Sequence, residues 1–188
     1  MWTDRVREIT DRRMREPGAI VELAAARRRR TEPVGATGRA LVIAADHPAR
    51  GSLRAGADPL AMADRTELLR RLCAALARPG VTGVLGTADV LEDLLLLGAL
   101  EDRSVFGSMN RGGLAGASFE IDDRFTGYDA LSIARYGFDG GKMLLRIDLT
   151  DELTAPTLES CALAVDELAD ARLVAMVEPF LSRRVDGV

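Results

Sequence analysis

The stretch Lys142-Met143-Leu144-Leu145-Arg146-Ile147 decides how this chain is read. Four of its six residues are apolar, and none breaks an extended backbone. Alternate side chains of a β-strand point to opposite faces, so Met143, Leu145 and Ile147 make one wholly apolar face, suited to a covering layer of helices. The other face carries Lys142, Leu144 and Arg146. Two cations turned inward need partners, since an unpaired buried charge is strongly unfavourable. Lys142 is also the only lysine among 25 basic residues. The rest are arginines, which neither give up a proton nor form an imine. A single lysine on an inward strand face therefore asks for a chemical reason; the bland alternative is chance.

Working outward, short apolar runs alternate with helical segments. Strands are read over 41–45, 82–85, 104–108, 142–147 and 173–177, and helices over 59–77, 88–100, 128–136 and 157–169. Residues 118–121 read as a short strand or as part of a loop that holds Gly112, Gly113 and Gly116. The chain beyond 177 reads as loop. The strands are mostly apolar on both faces, the mark of a buried parallel sheet covered by helices. A doubly wound sheet and a (β/α)8 barrel both fit this pattern. Residues 1–36 read as a helical extension, with helices over 3–14 and 19–30, ahead of a main domain over 37–188. The second helix ends in four arginines, 27–30, read as a solvated cap that complements the helix dipole.

Composition excludes several classes. With 47% apolar and 29% charged residues the chain is built for a packed core rather than for disorder. A net charge of −4 argues against a nucleic-acid partner. Cys73 and Cys161 lie far apart on helical segments and read as buried thiols in a reducing compartment. The charged opening Met1 to Arg5 is not a signal peptide. The longest apolar run, around Leu94 to Leu97, falls short of the roughly 20 residues that span a bilayer. A cytoplasmic protein with no membrane partner is expected.

Function in either α/β architecture collects at the carboxyl ends of the strands. These ends read Asp46-His47-Pro48-Ala49-Arg50-Gly51, Gly86-Thr87-Ala88-Asp89, Ser108-Met109-Asn110-Arg111-Gly112-Gly113, Arg146 with Asp148, and Glu178-Pro179. Asp46 and Glu178 are the acids available to Lys142. Such a cluster is either a structural ion-pair network or a catalytic one, and the catalytic reading is preferred. A lone histidine, His47, excludes a His-rich zinc site, and no Gly-x-Ser-x-Gly hydrolase turn is present. The glycines at 112–116 open no helix and fail the dinucleotide pattern. Gly140-Gly141-Lys142 ends like a phosphate-binding loop, but Tyr136 stands where its first glycine belongs and Met143 where Ser or Thr would hold magnesium. No cofactor and no metal are expected.

Three motifs carry a family resemblance. Leu41-Val42-Ile43-Ala44-Ala45-Asp46-His47, followed by Arg50-Gly51, resembles the first strand of the class I, Schiff-base-forming aldolases with (β/α)8 barrels, such as tagatose-bisphosphate aldolase and the archaeal-type fructose-bisphosphate aldolases. Gly137-Phe138-Asp139-Gly140-Gly141-Lys142-Met143-Leu144-Leu145-Arg146 resembles the fourth strand of tagatose-bisphosphate aldolase, and Val174-Ala175-Met176-Val177-Glu178-Pro179 its fifth. The chain is most similar to a deoxyribose-phosphate-aldolase-like family of high-GC bacteria, some of whose members are encoded beside inositol-catabolism genes. The resemblance runs from about residue 38 to Glu178.

The resemblance implies an incomplete TIM barrel of about five βα units, and a lyase acting on a small sugar or sugar phosphate. An amine forms a Schiff base with a carbonyl, the imine serves as electron sink, and carboxylates move protons. By resemblance Asp46 and Glu178 transfer protons or orient hydroxyls, Lys142 pairs with them, and His47, Arg50, Asn110 and Arg146 bind substrate. The family's Schiff-base lysine lies on a sixth strand, which this chain lacks. The chain is therefore expected to be a truncated, inactive fragment; otherwise Lys142 is itself the nucleophile, as the strand-four lysine is in transaldolases. A fragment with open edges is expected to self-associate or to need a complementing half-barrel. The alternatives from other classes are a non-catalytic half-barrel and a small-ligand-binding α/β domain.

Overall fold

The computed structural model describes residues 1–32, 34–110, 117 and 121–181. The glycine-rich loop with Arg111, Gly112, Gly113 and Gly116 lies outside the described residues, as does most of the short strand read over 118–121; Ile121 itself is a buried turn residue.

Five strands, β1 (Val42–Ala45), β2 (Gly83–Gly86), β3 (Ser104–Ser108), β4 (Gly140–Ile147) and β5 (Val174–Leu181), form one sheet. They stand in the order β1-β2-β3-β4-β5, and every neighbouring pair is parallel. The order never reverses, so the crevice of a doubly wound sheet, which needs a reversal, does not form. The sheet curls into a half-barrel. This corrects the (β/α)8 TIM-barrel expectation. Closing such a barrel takes eight strands, whereas here β1 and β5 are edges with one strand neighbour each.

The helices α3 (Arg65–Leu76), α4 (Ala88–Leu96), α5 (Ala130–Arg135) and α6 (Thr154–Asp170) lie in sequence between successive strands. The core sits between them and the sheet: Val84, Val105 and Met143 are sealed against Leu69, Leu91, Leu94, Ile133 and Leu168. Leu85, Phe106 and Leu144 are buried on the opposite, concave face. The alternation read in β4 holds, with Met143 and Leu145 in the core cluster and Ile147, half-buried, packed against it. Gly140 and Gly141 answer to packing rather than to phosphate. A Cβ on Gly141 would run into Met109, Ile133 and Leu168, and one on Gly140 into the backbone of Val174.

Several boundaries differ from the sequence reading, and two of them have a clear local cause. α3 begins at Arg65, not near 59, because Asp64 caps it by accepting from Glu67 N at 2.8 Å. Ahead of it the chain is held in turns by Leu60 N donating to Asp58 Oδ1 and Met62 N to Leu53 O. β5 continues past Val177 to Leu181. Pro179 is tolerated there because an edge strand pairs on one side only.

α1 (Trp2–Arg15) and α2 (Ala19–Ala26) contribute Ile9, Ile20 and Ala24 to the same buried cluster. α2 stops four residues before the end expected, since Arg27 turns to an extended backbone (φ −62°, ψ 146°). Its side chain is buried at the amino-terminal end of the sheet, donating to Arg103 O at 3.1 Å and Gly137 O at 2.7 Å. Asp139 lies 3.7 Å away. Arg28 pairs with Asp102 at 2.9 Å, and Arg29 lies 3.5 Å from Asp139. Arg27 is therefore a plug under β3 and β4, while Arg28 and Arg29 stay exposed, as a solvated end of the run would. Among the described residues no helix is long and apolar enough to cross a membrane.

Candidate functional site

On the concave face the end of β1 and the inward sides of β4 and β5 meet at one point. Asp46 follows β1 directly and is 2% exposed. Lys142 lies in β4 at the register of Ser108 on one side and Met176 on the other, and is also 2% exposed. Glu178 lies in β5 opposite Leu144, two residues further along. Residues two apart share a face, so Lys142, Leu144, Met176 and Glu178 all project to the concave side. Lys142 Nζ donates to Asp46 Oδ2 at 2.8 Å and forms a close ion pair with Glu178 Oε2. The Glu178 side chain is 44% exposed, so one acid of the pair is sealed and the other is wet.

The loop after β1 brings in a second cation. Pro48–Arg50 is a 3₁₀ turn, for which Pro48 is preset by its fixed φ. Gly51 closes it in the left-handed region at φ 71°, where a side chain would be strained. The turn folds Arg50 back on Asp46, four residues earlier, with Nη2 3.2 Å from Asp46 Oδ2 and 3.2 Å from Asn110 O. Burial alone would raise the Asp46 carboxyl. The hydrogen bond and charge of Lys142, with Arg50 and His47 adding to them, hold it below the usual carboxylate range.

Of the residues singled out in the sequence, Asp46, Lys142, Glu178 and Arg50 come together. His47 Nδ1 is 3.7 Å from Asp46 Oδ1, beyond a hydrogen bond, and its ring is 48% exposed at the rim. Arg146 shares the face of Lys142, but four residues separate them, about 13 Å along a strand; its guanidinium sits 5.9 Å over the Phe180 ring. Asn110 is at the site in a different role. Its Nδ2 donates to Leu144 O at 2.7 Å, and its Oδ1 accepts from Leu144 N at 2.9 Å. That side chain continues the β3–β4 ladder past its last backbone pair, at Ser108 and Lys142. Its carboxamide is spent on the strand that carries Lys142.

The sequence reading passed over Ser108. Its hydroxyl is buried, donates to Asn110 O at 3.1 Å, and stands in register with Lys142. A polar residue at the carboxyl end of the strand, on its inward side, was the available signal. Among the described residues no three His, Cys, Asp or Glu side chains are grouped to hold a metal ion, and Cys73 and Cys161 are both free thiols.

A family model described as Cgl0159-like matches residues 38–188. Among solved structures, the chain is similar to the crystal structure of Cgl0159 from Corynebacterium glutamicum (Brevibacterium flavum), with 52% sequence identity and a TM-score of 0.93. The match covers 98% of this chain and 62% of that one, so the chain spans under two thirds of the relative's length. No curated protein matches it.

Proposed function

The chain belongs to the Cgl0159-like family, and from that premise we propose that it carries the proton-handling part of an aldolase-type lyase site. The reaction would break or make a carbon–carbon bond in a small sugar or sugar phosphate through a Schiff base, in carbohydrate or inositol catabolism. The observation that carries this reading is the chain's one lysine, held on the concave face by two carboxylates, one at the end of β1 and one within β5.

Each group has a role that follows from its surroundings. Retro-aldol cleavage needs a base for the hydroxyl proton and an acid to protonate the released carbon. Glu178, partly open to water, can exchange protons between turnovers. Asp46, buried and held ionised, fixes the position of the Lys142 ammonium and accepts substrate hydroxyls. Lys142 balances both acids. An amine forms an imine only with a free lone pair, and Nζ is engaged by both carboxylates, which favours a charge-balancing role over that of nucleophile. The competing reading, a non-catalytic strap joining β1, β4 and β5, draws on the same burial of Asp46 and Lys142.

Borohydride trapping separates the readings. This chain and Cgl0159 are each incubated with dihydroxyacetone phosphate and a panel of small aldoses and ketoses, reduced, and mapped by mass spectrometry. The expected result is an adduct on Cgl0159 at a lysine outside the stretch it shares with this chain, with Lys142 unmodified. An adduct on Lys142 would make it the nucleophile. Absence of any adduct on Cgl0159 across the panel would sink the lyase reading and leave the strap.

A further inference from the structure

Arg50 is 4% exposed, yet its guanidinium is only partly used. Nη2 serves Asp46 and Asn110, while Nη1 is buried and has no hydrogen-bond partner among the described residues. A sealed, charged donor without an acceptor is unfavourable and needs an explanation. No described side chain of the site supplies one. Lys142, Arg50, Asp46 and Glu178 already balance as two cations and two anions, and Asp46 Oδ2 is shared by both cations. The turn that carries Arg50 lies at the surface. The next-door His47 ring is half exposed, and a Cβ placed on Gly51 would meet nothing within 4 Å.

We propose that Arg50 Nη1 anchors an anionic group of the substrate, a carboxylate or a phosphate, uncovered by a small movement of the 48–50 turn. The planar guanidinium matches paired oxygens of either group. Its place beside Asp46 puts the anion at one end of a ligand whose reacting carbon faces the Lys142 cluster. The inference deepens the reading of this site as one for small sugars and rests on it for the ligand's remainder. It narrows the substrate class to sugar acids and sugar phosphates and excludes neutral sugars.

The test titrates inorganic phosphate, and separately malonate, into the wild-type chain and into R50Q and R50K at fixed ionic strength, by calorimetry. One anion is expected to bind saturably to the wild type, with Kd raised at least tenfold in R50Q and severalfold in R50K, which keeps the charge but loses the planar fork. Preference for phosphate identifies sugar phosphates, and preference for malonate identifies sugar acids. Wild-type crystals soaked in selenate or malonate provide a readout that needs no variant, with an oxygen expected within hydrogen-bond distance of Nη1. Equal binding by R50Q, an anion seated elsewhere, or no binding of either anion overturns the proposal. Arg50-dependent binding without imine adducts on Cgl0159 would remove the lyase reading alone. Adducts that form equally well with neutral ketoses would remove this inference alone.

Discussion

At the amino-terminal end of the sheet a buried arginine is tied down by backbone carbonyls; at the carboxyl end a buried lysine is tied down by two acids. Arg27 reaches Arg103 O and Gly137 O, with Asp139 at 3.7 Å. Burial pulls its guanidinium below its usual range, with Asp139 opposing, but an arginine this buried stays charged and inert. Lys142 instead meets Asp46 and Glu178, groups that can exchange protons with it and with a ligand. The lower plug spends its cation on closing loops against strand starts. The upper cluster keeps one acid exposed, whereas an idle donor is found at both ends, Nη1 of Arg50 above and Nε of Arg27 below. The contrast teaches that burial of a cation does not mark a site by itself; the nature of its partners does.

Substitutions break the comparison in decreasing order of effect. D46N leaves Lys142 and Arg50 short of their shared anion, and removing one partner of a buried ion pair costs about 3 to 5 kcal/mol, read from urea midpoints. The same variant carries a pH signature. The folded Asp46 carboxyl lies below its unfolded value, so its contribution is complete above about pH 4 and drains away as pH falls through the folded value. D46N is expected to be less stable at neutral pH and to lose less on acidification; an unchanged acid limb would show that Asp46 is not held ionised. R27A orphans carbonyls at the bottom of β3 and β4 and is expected to cost about 3 kcal/mol. It should leave phosphate or malonate binding unchanged within twofold, and a matching loss of binding would mean that the two ends are coupled. E178Q should change stability by less than about 1 kcal/mol, because its side chain is 44% exposed. In Cgl0159 the equivalent change should still slow turnover by about 100-fold or more if this acid moves a proton. Full activity there would reassign Glu178 to a passive role.

Much of the upper cluster was legible in the sequence. Two-residue periodicity alone turned Lys142, Leu144 and Arg146 to one side of β4, and the scarcity of lysine singled out Lys142. Asp46 followed from its place at the end of β1, and Glu178 from a strand end read at 177, although β5 runs on to Leu181. Other features escaped for physical reasons. Arginines 27–30 have good helix propensity, and only the carbonyls of residues distant in sequence pull Arg27 out of α2. The start of α3 depends on the Asp64 cap and the turn bonds of 53–62, which periodicity does not report. Asn110 reads as a ligand-binding amide because nothing local reveals that β3 stops pairing two residues earlier and needs a side chain to continue its ladder. The expectation of a (β/α)8 barrel came from the resemblance, whereas the five strands stand as an open curled sheet.

The central claim is that the upper cluster is kept for chemistry and the lower plug for stability. The most direct test is the unfolding free energy of the double variant K142M/E178Q, which removes one charge of each sign and leaves Asp46 paired with Arg50. Replacing a buried ion pair without stranding a charge is commonly neutral or stabilising, so the account predicts a value within about 1 kcal/mol of the wild type. A loss as large as that of R27A, about 3 kcal/mol, would show that Lys142 holds the fold together and would contradict the account.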